Sequence, residues 1–293
     1  MAIVYGTNNS DFISGNNSNN QLYGFGGNDT LRGFAGNDLL AGGTGFDTAD
    51  YSNLGRAITV LPGGSVSKNG LGTDRLDSVE RIVGAFGQAN AIDGTGGRGF
   101  AWFNVNLGSN QLTVNGLPGI GSLSFTVQNF ANVRGTVNAD TITGNSAGNF
   151  IDGWGGNDTL IGSGGNDALV GNAGIDVLVG TDSLFRGNRE IDSLTGGTDA
   201  DGFVLGDRNG SYYRGGGFSD YALIRDFSSN DLIQLGKGEV YQAQRDSAGF
   251  DLYVVRNGVR DLVADVRTTS FVGLPAGTFS LASGQRFGNF LGT

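Results

Sequence analysis

Along residues 6–51 an apolar position recurs every nine residues, at Ile13, Leu22, Leu31, Leu40 and Ala49, each two places after Asp11, Asn20, Asp29, Asp38 or Asp47. The same spacing returns with Asp140, Asn149, Asp158, Asp167 and Asp176 ahead of Ile142, Ile151, Leu160, Leu169 and Leu178. Two more blocks follow an insertion, around Asp192 and Asp201. Nine residues are too few for a helical repeat. They suffice for one tight turn and one short strand with a single inward side chain. Two blocks then close one coil, and residues 18 apart stack one strand spacing apart, ~4.8 Å. The expected fold is all-β, a parallel β-roll.

Between the arrays the nine-residue period gives way to alternating strands at 57–61, 103–107, 111–115 and 124–127, separated by Gly and Pro turns such as Pro62-Gly63-Gly64. After Phe203 further strands are expected around 221–225, 231–235, 252–255 and 261–264, with Asn257-Gly258 as a hairpin turn between the last two. This organises the chain as a first array at 1–51, an inserted strand region at 52–134 that continues the roll, a second array at 135–204, and a C-terminal β cap at 205–293.

Composition narrows the chemistry. The 293 residues include 55 Gly, 3 Pro and no Cys or His, with 38% hydrophobic residues, which fits neither collagen nor a disordered chain. Without histidine or cysteine, Ser-His-Asp and Cys-His nucleophiles, HExxH zinc proteases and three-histidine zinc sites are excluded. Aspartate outnumbers glutamate 25 to 3, which suits turns and oxygen-ligand loops. Residues 1–51 hold five Asp and one Arg, residues 135–185 hold six Asp and no cation, and these blocks account for the net charge of −10. Nucleic acid is therefore not an expected partner. No apolar run is long enough for a membrane span, and from the start, Met1-Ala2-Ile3-Val4-Tyr5, which has no basic region or long apolar stretch, no cleaved secretory signal is expected.

Stacking the aspartates at 18 residues is unfavourable without a cation. Two like charges about 5 Å apart repel by roughly 3 kcal/mol at an effective dielectric near 20. A divalent ion between them turns repulsion into attraction. It should be hard, because the turns offer only Asp or Asn side chains and backbone carbonyls, and calcium accepts such irregular oxygen cages. Gly27, Gly36, Gly45, Gly156, Gly165 and Gly174 stand where a left-handed backbone is needed, whereas Ser18 and Ala147 replace glycine in the two loops carrying Asn20 and Asn149.

Blocks such as GFGGNDTLR and GFAGNDLLA resemble the GGxGxDxUx nonapeptide of RTX (haemolysin-type) calcium-binding proteins. The resemblance implies several Ca2+ ions, each between two turns 18 residues apart. One set is Phe25, Gly27 and Asp29 with Gly42, Thr44 and Asp47; its counterpart is Trp154, Gly156 and Asp158 with Gly171, Ala173 and Asp176. The same rule pairs Thr7, Asn9 and Asp11 with Gly24, Gly26 and Asp29, and Thr136, Asn138 and Asp140 with Gly153, Gly155 and Asp158. Weaker sites join Asn16, Ser18 and Asn20 to Gly33, Ala35 and Asp38, and Asn145, Ala147 and Asn149 to Gly162, Gly164 and Asp167. Asp192 and Asp201 extend the array. Asp226 and Asp231 either hold a further ion or serve as turn residues.

The resemblance also implies an extracellular protein, secreted or at the cell surface, with an uncleaved export signal in the tail through Phe287-Gly288-Asn289-Phe290. The expected function is structural, non-enzymatic and calcium-stabilised. A glycan-binding or adhesin module using Phe100, Trp102 and Phe103 is the alternative, and a polysaccharide-active enzyme a third. At the start of the roll the apolar interior is covered either by a frayed or back-folded end or by head-to-tail stacking of a second copy, which would generate filaments or a surface layer.

Overall fold

The computed structural model describes residues 1–97, 99, 101–185 and 189–268, and the backbone of the strands Thr278–Leu281 and Arg286–Phe287. Among these residues there is no α-helix, only strands and one 3-10 turn at Gly217–Ser219. No helix is long and apolar enough to cross a membrane. The chain divides into two compact units, Met1–Thr136 and Val137–Thr293.

In Met1–Thr136 each pair of nine-residue blocks places one strand in each of two parallel sheets. Ala2–Tyr5, Asn20–Gly26 and Leu39–Thr44 lie side by side in one, and Phe12–Ser14, Thr30–Arg32 and Thr48–Asp50 in the other. Val4 is opposite Leu22 and Leu22 opposite Leu40, while Ile13, Leu31 and Ala49 align in the second sheet. The stacking interval is thus 18 residues, and Ile13, Leu22, Leu31, Leu40 and Ala49 are at most 4% exposed. Because each coil contributes one strand per sheet, all its repeat aspartates fall at the turns that join the sheets.

The inserted region leaves and re-enters this register. Thr59–Val60, Ser65–Ser67 and Thr73–Asp77 form an antiparallel meander whose last strand rejoins Leu39–Thr44 in parallel, with Leu76 opposite Leu40. Arg81–Val83 continues the other sheet beside Thr48–Asp50, with Ile82 opposite Ala49. A second meander, Trp102–Asn106, Gln111–Leu117 and Gly121–Gln128, runs on that sheet beside Arg81–Val83. Trp102 is exposed and Phe103 buried. Phe100 lies outside the described residues.

Val137–Thr293 repeats the plan and extends it. Thr141–Thr143, Thr159–Ser163, Val177–Thr181, Gly202–Val204 and Leu232–Gln234 are parallel neighbours in one sheet. Phe150–Asp152, Ala168–Ala173, Ile191–Thr198, Tyr221–Ile224 and Val259–Arg267 are parallel in the other. The roll therefore runs past the last nonapeptide, since Ala222, Ile224 and Ile233 point inwards and are fully buried. Its end is covered by antiparallel strands, Val240–Arg245 and Gly249–Arg256, the latter joined to Val259–Arg267 through Asn257 and Gly258 at φ 52° and 78°. The suggested export signal lies outside the described residues except for the backbone of Phe287.

Candidate metal centre

Beyond the first coil of each unit, each repeat aspartate holds the turn of the preceding coil. The Asp29 Oδ1 accepts the Asp11 N–H at 2.8 Å, and Asp47 Oδ1 accepts the Asp29 N–H at 2.7 Å. On the opposite edge Asp38 Oδ1 accepts the Asn20 N–H at 2.7 Å. In Val137–Thr293 one edge runs Asp140, Asp158, Asp176, Asp201 and Asp231, and the other runs Asn149, Asp167 and Asp192, with links of 2.7–2.9 Å. One carboxylate oxygen per residue is committed in this way.

The second oxygen carries the chemistry. Among the described residues, the Oδ2 atoms of Asp29, Asp47, Asp158, Asp167 and Asp176 are buried without a hydrogen-bond partner. Such orphaned groups cost about 1–3 kcal/mol each, more when charged. Each is paired with a main-chain oxygen across a small gap that glycine leaves open. A β-carbon on Gly24 would lie within 3.0 Å of both Asp29 Oδ2 and the Gly42 carbonyl oxygen. Gly153 frames Asp158 Oδ2 with the Gly171 oxygen, Gly162 frames Asp167 Oδ2 with the Gly180 oxygen, and Gly171 frames Asp176 Oδ2 with the Gly196 oxygen, all within 3.0 Å. Two acceptors face each other with no donor between them. That donor set fits a hard divalent cation and nothing that brings a hydrogen-bond acceptor.

The structure brings Asp29 to Gly42 and Asp158 to Gly171, the partners expected at 18 residues. Thr7, Asn9, Asn16, Ser18, Gly27 and Ala35 sit in the turns and Phe25 and Thr44 at the ends of strands, all exposed or half-buried, while Gly26 and Gly33 are buried. In the second unit Asn138, Asn145, Ala147, Trp154, Gly156 and Ala173 are exposed or half-buried, and Gly155 and Gly164 are buried. Thr136 is buried in the first unit.

Several loops close differently, and of these only that of Asn20 leaves a side-chain oxygen, its Oδ1, buried without a partner among the described residues. Asp11 Oδ2 accepts from the Thr7 N–H at 2.6 Å and the Thr7 hydroxyl at 2.8 Å. Asn20 turns its amide nitrogen towards the Asn16 carbonyl, 2.8 Å away, and the Ser18 carbonyl, so the side chain itself donates where an aspartate could not. Asn149 instead turns its Oδ1 towards the Asn145 N–H, at 2.7 Å. The two oxygens of Asp226 accept from Gly196 and Gly197 N–H groups, and those of Asp231 from Asp201 and Ser228 N–H groups.

Sequence reasoning missed two members of the ladders. Asp74 Oδ1 accepts the Asp38 N–H at 3.0 Å, and Glu80 Oε2 accepts the Asp47 N–H at 2.7 Å. Around Asp47 the next-coil carbonyl is that of Ser78. The signal was present, for Asp74 stands two places before Leu76 and Glu80 two before Ile82, as in every repeat. A second left-handed position per turn was also missed. Besides Gly27, Gly36, Gly156 and Gly165, positive φ occurs at Phe25, Phe34, Trp154 and Ser163, where the consensus has glycine.

Burial dominates the electrostatics of the second array. It pushes Asp158 and Asp167 up to about 8 from an ordinary 3.8, with neighbouring acids adding to the rise and the backbone N–H groups of Asp140 and Asn149 opposing it. Asp192 and Asp201 are raised to about 7, again chiefly by burial. With the folded pKa above the unfolded one, the ion-free fold binds more protons than the unfolded chain. Its stability is therefore greatest below about pH 4 on this account and is lost as pH rises towards 8. Urea unfolding of chelated protein at pH 5.5 and 8 should show the lower midpoint at pH 8, and saturating calcium should abolish or reverse the difference.

Comparison with known proteins bears on these turns directly. The family model of the RTX calcium-binding nonapeptide repeat matches in four copies, over residues 5–40, 26–49 and 134–169. Among curated proteins there is no match. Among solved structures the chain is similar to the extracellular lipase LipA from Serratia marcescens at 21% identity and TM-score 0.26; the match covers 90% of this chain but only 38% of the lipase. With five buried aspartate oxygens left unpartnered in the turns, each facing a carbonyl across a glycine gap, the chain carries RTX calcium-binding nonapeptide repeats and is a calcium-binding β-roll protein.

Proposed function

We propose that this roll is an extracellular structural element whose folding is coupled to calcium, and that its role is mechanical and architectural rather than catalytic. The observation that carries the reading is the set of orphaned Oδ2 atoms on Asp29, Asp47, Asp158, Asp167 and Asp176. A protein that worked in calcium-poor surroundings would bear those desolvation costs uncompensated. At the millimolar calcium found outside cells, sites of about 10⁻⁴ to 10⁻³ M affinity fill and the costs are removed. The acidic residues of the arrays are committed to neighbouring backbone, which favours scaffolding over catalysis. Head-to-tail association at the edge strand Ala2–Tyr5, where Ile3 and Tyr5 are exposed, belongs to the same proposal. Circular dichroism in chelator and then in millimolar calcium tests the coupling. The β signal and the melting temperature should both rise with calcium, and identical spectra and melts in the two conditions would refute it.

A further inference from the structure

One step of the acidic ladders holds a cation of the protein's own. The hairpin turn Lys68-Asn69-Gly70-Leu71, closed by the Leu71 N–H to the Lys68 carbonyl at 3.1 Å, delivers the Lys68 side chain to the turn edge. Its Nζ donates to the Phe34 carbonyl at 2.6 Å and to Asp38 Oδ2 at 2.8 Å, and lies 2.5 Å from Asp74 Oδ1. All three side chains of the ion-paired set, Lys68, Asp38 and Asp74, are 0% exposed. One turn carbonyl and two aspartates of successive coils are the donor set expected around an ion, and an ammonium sits among them.

The second array provides a comparison within the same chain. Asp74 receives the Asp38 N–H on Oδ1 and the Tyr51 hydroxyl on Oδ2, at 3.0 Å each. Asp192 receives the Asp167 N–H on Oδ1 at 2.9 Å and the Tyr213 hydroxyl on Oδ2 at 2.6 Å. Both tyrosines are buried, and the steps differ at two points: the Gly36 N–H meets the Leu71 carbonyl where the Gly165 N–H meets the Glu190 carboxylate, and the second oxygens of Asp38 and Asp167 have different surroundings. Asp38 Oδ2 meets Lys68, whereas Asp167 Oδ2 has no partner among the described residues.

We propose that Lys68 is a resident substitute for calcium, its ammonium occupying between Asp38 and Asp74 the position an ion takes between Asp167 and Asp192. At the preceding step of that edge the Asn20 amide nitrogen donates to the carbonyls of its own loop while its Oδ1 is buried without a partner among the described residues, so the closure by Lys68 is confined to the Asp38–Asp74 step. The Asp38–Asp74 step thus stays closed when calcium is absent, and the opposite edge of Met1–Thr136, with Asp29 and Asp47, is the one that opens. The inference rests on reading the orphan-oxygen gaps as calcium sites, and the test separates the two.

The chain contains two lysines, Lys68 and the exposed Lys237, so amine acetylation followed by mass spectrometry reads Lys68 against a built-in control. In the unsubstituted protein Lys68 should be modified at least about tenfold more slowly than Lys237 both in chelator and in calcium. Reaction of Lys68 at the rate of Lys237 in chelator would overturn the proposal, whatever the calcium stoichiometry. Lys68→Met keeps the aliphatic stem and leaves Asp38 and Asp74 facing each other. This variant should melt lower than the parent in chelator, recover in calcium, and bind one more ion per molecule by equilibrium dialysis. An unchanged ion count with no recovery would also overturn it. If the substitution prevents folding in both conditions, the acetylation result alone decides. A parent protein that binds no calcium would refute the calcium reading and this inference with it, whereas a calcium-binding parent with an exposed Lys68 would refute only the inference.

Discussion

Asp158→Asn should change the sign of its effect with calcium. In chelator the substitution removes a buried carboxylate oxygen that has no partner among the described residues, while a side-chain oxygen remains to accept the Asp140 N–H. The ion-free protein should therefore gain about 1–3 kcal/mol of stability at pH 8, the cost of an orphaned buried group. On the proposed reading the same oxygen, which faces the Gly171 carbonyl across the Gly153 gap, would be the negative half of an ion's cage in calcium. Loss of one site at a hundredfold excess over its dissociation constant removes about 3 kcal/mol, and more if two ions share the residue. Parallel denaturant melts of parent and variant in the two media give both signs. A variant less stable in chelator as well would show that the carboxylate contributes through contacts other than an ion. Asn20→Ala should lower calcium affinity less than Asp158→Asn, since the Asn20 amide nitrogen already faces its loop carbonyls.

The other large effect is expected from Gly27→Ala, and it should be the same with and without calcium. Gly27 has φ +96°, and a β-carbon there would lie under 3.0 Å from backbone atoms of Asn9 and Ser10 in the preceding coil. The left-handed conformation costs about 1–2 kcal/mol for any other residue, and backbone cannot yield as a flexible side chain would. A loss of about 3 kcal/mol or more follows from the two together. Gly55 provides the control. It also has positive φ, at 72°, but its β-carbon would meet nothing within 4 Å, so Gly55→Ala should cost only the conformational part, about 1 kcal/mol.

The coil length, the inward side chains and the 18-residue register were legible because each depends on local spacing. A carboxylate two residues before a single apolar position defines a turn and a strand whatever lies elsewhere. The continuation of the ladders was not, although the same spacing is present at Asp74 and Glu80. Asp38 reaches Asp74 across 36 residues and Asp47 reaches Glu80 across 33, so the partner is chosen by where the meanders return the chain rather than by period. Lys68 was hidden for the same reason, since nothing local distinguishes a lysine before Asn-Gly from a solvated one. The strands of the second meander were found near their true limits, because a sheet with one buried face writes its alternation directly into the sequence, as in Phe103, Val105, Leu112 and Val114.

The direction of the carboxylate ladder has a kinetic consequence. Every link runs one way, from the N–H of an earlier turn to the side chain of a later coil, as from Asp140 to Asp158 to Asp176 to Asp201 to Asp231. The carboxylate part of a turn is closed only when its successor is in place, so this part of the order propagates backwards, whereas asparagine links such as the Phe46 N–H to Asn28 and the Ile175 N–H to Asn157 run forwards. A chain supplied from its N-terminus keeps its leading coils waiting, with their amides still solvated. The antiparallel strands around Asn257-Gly258 form from contacts close in sequence and are the natural starting template. Assembly of the roll then resembles a zip closed from its far end, in which the last residues delivered decide when the first ones become rigid.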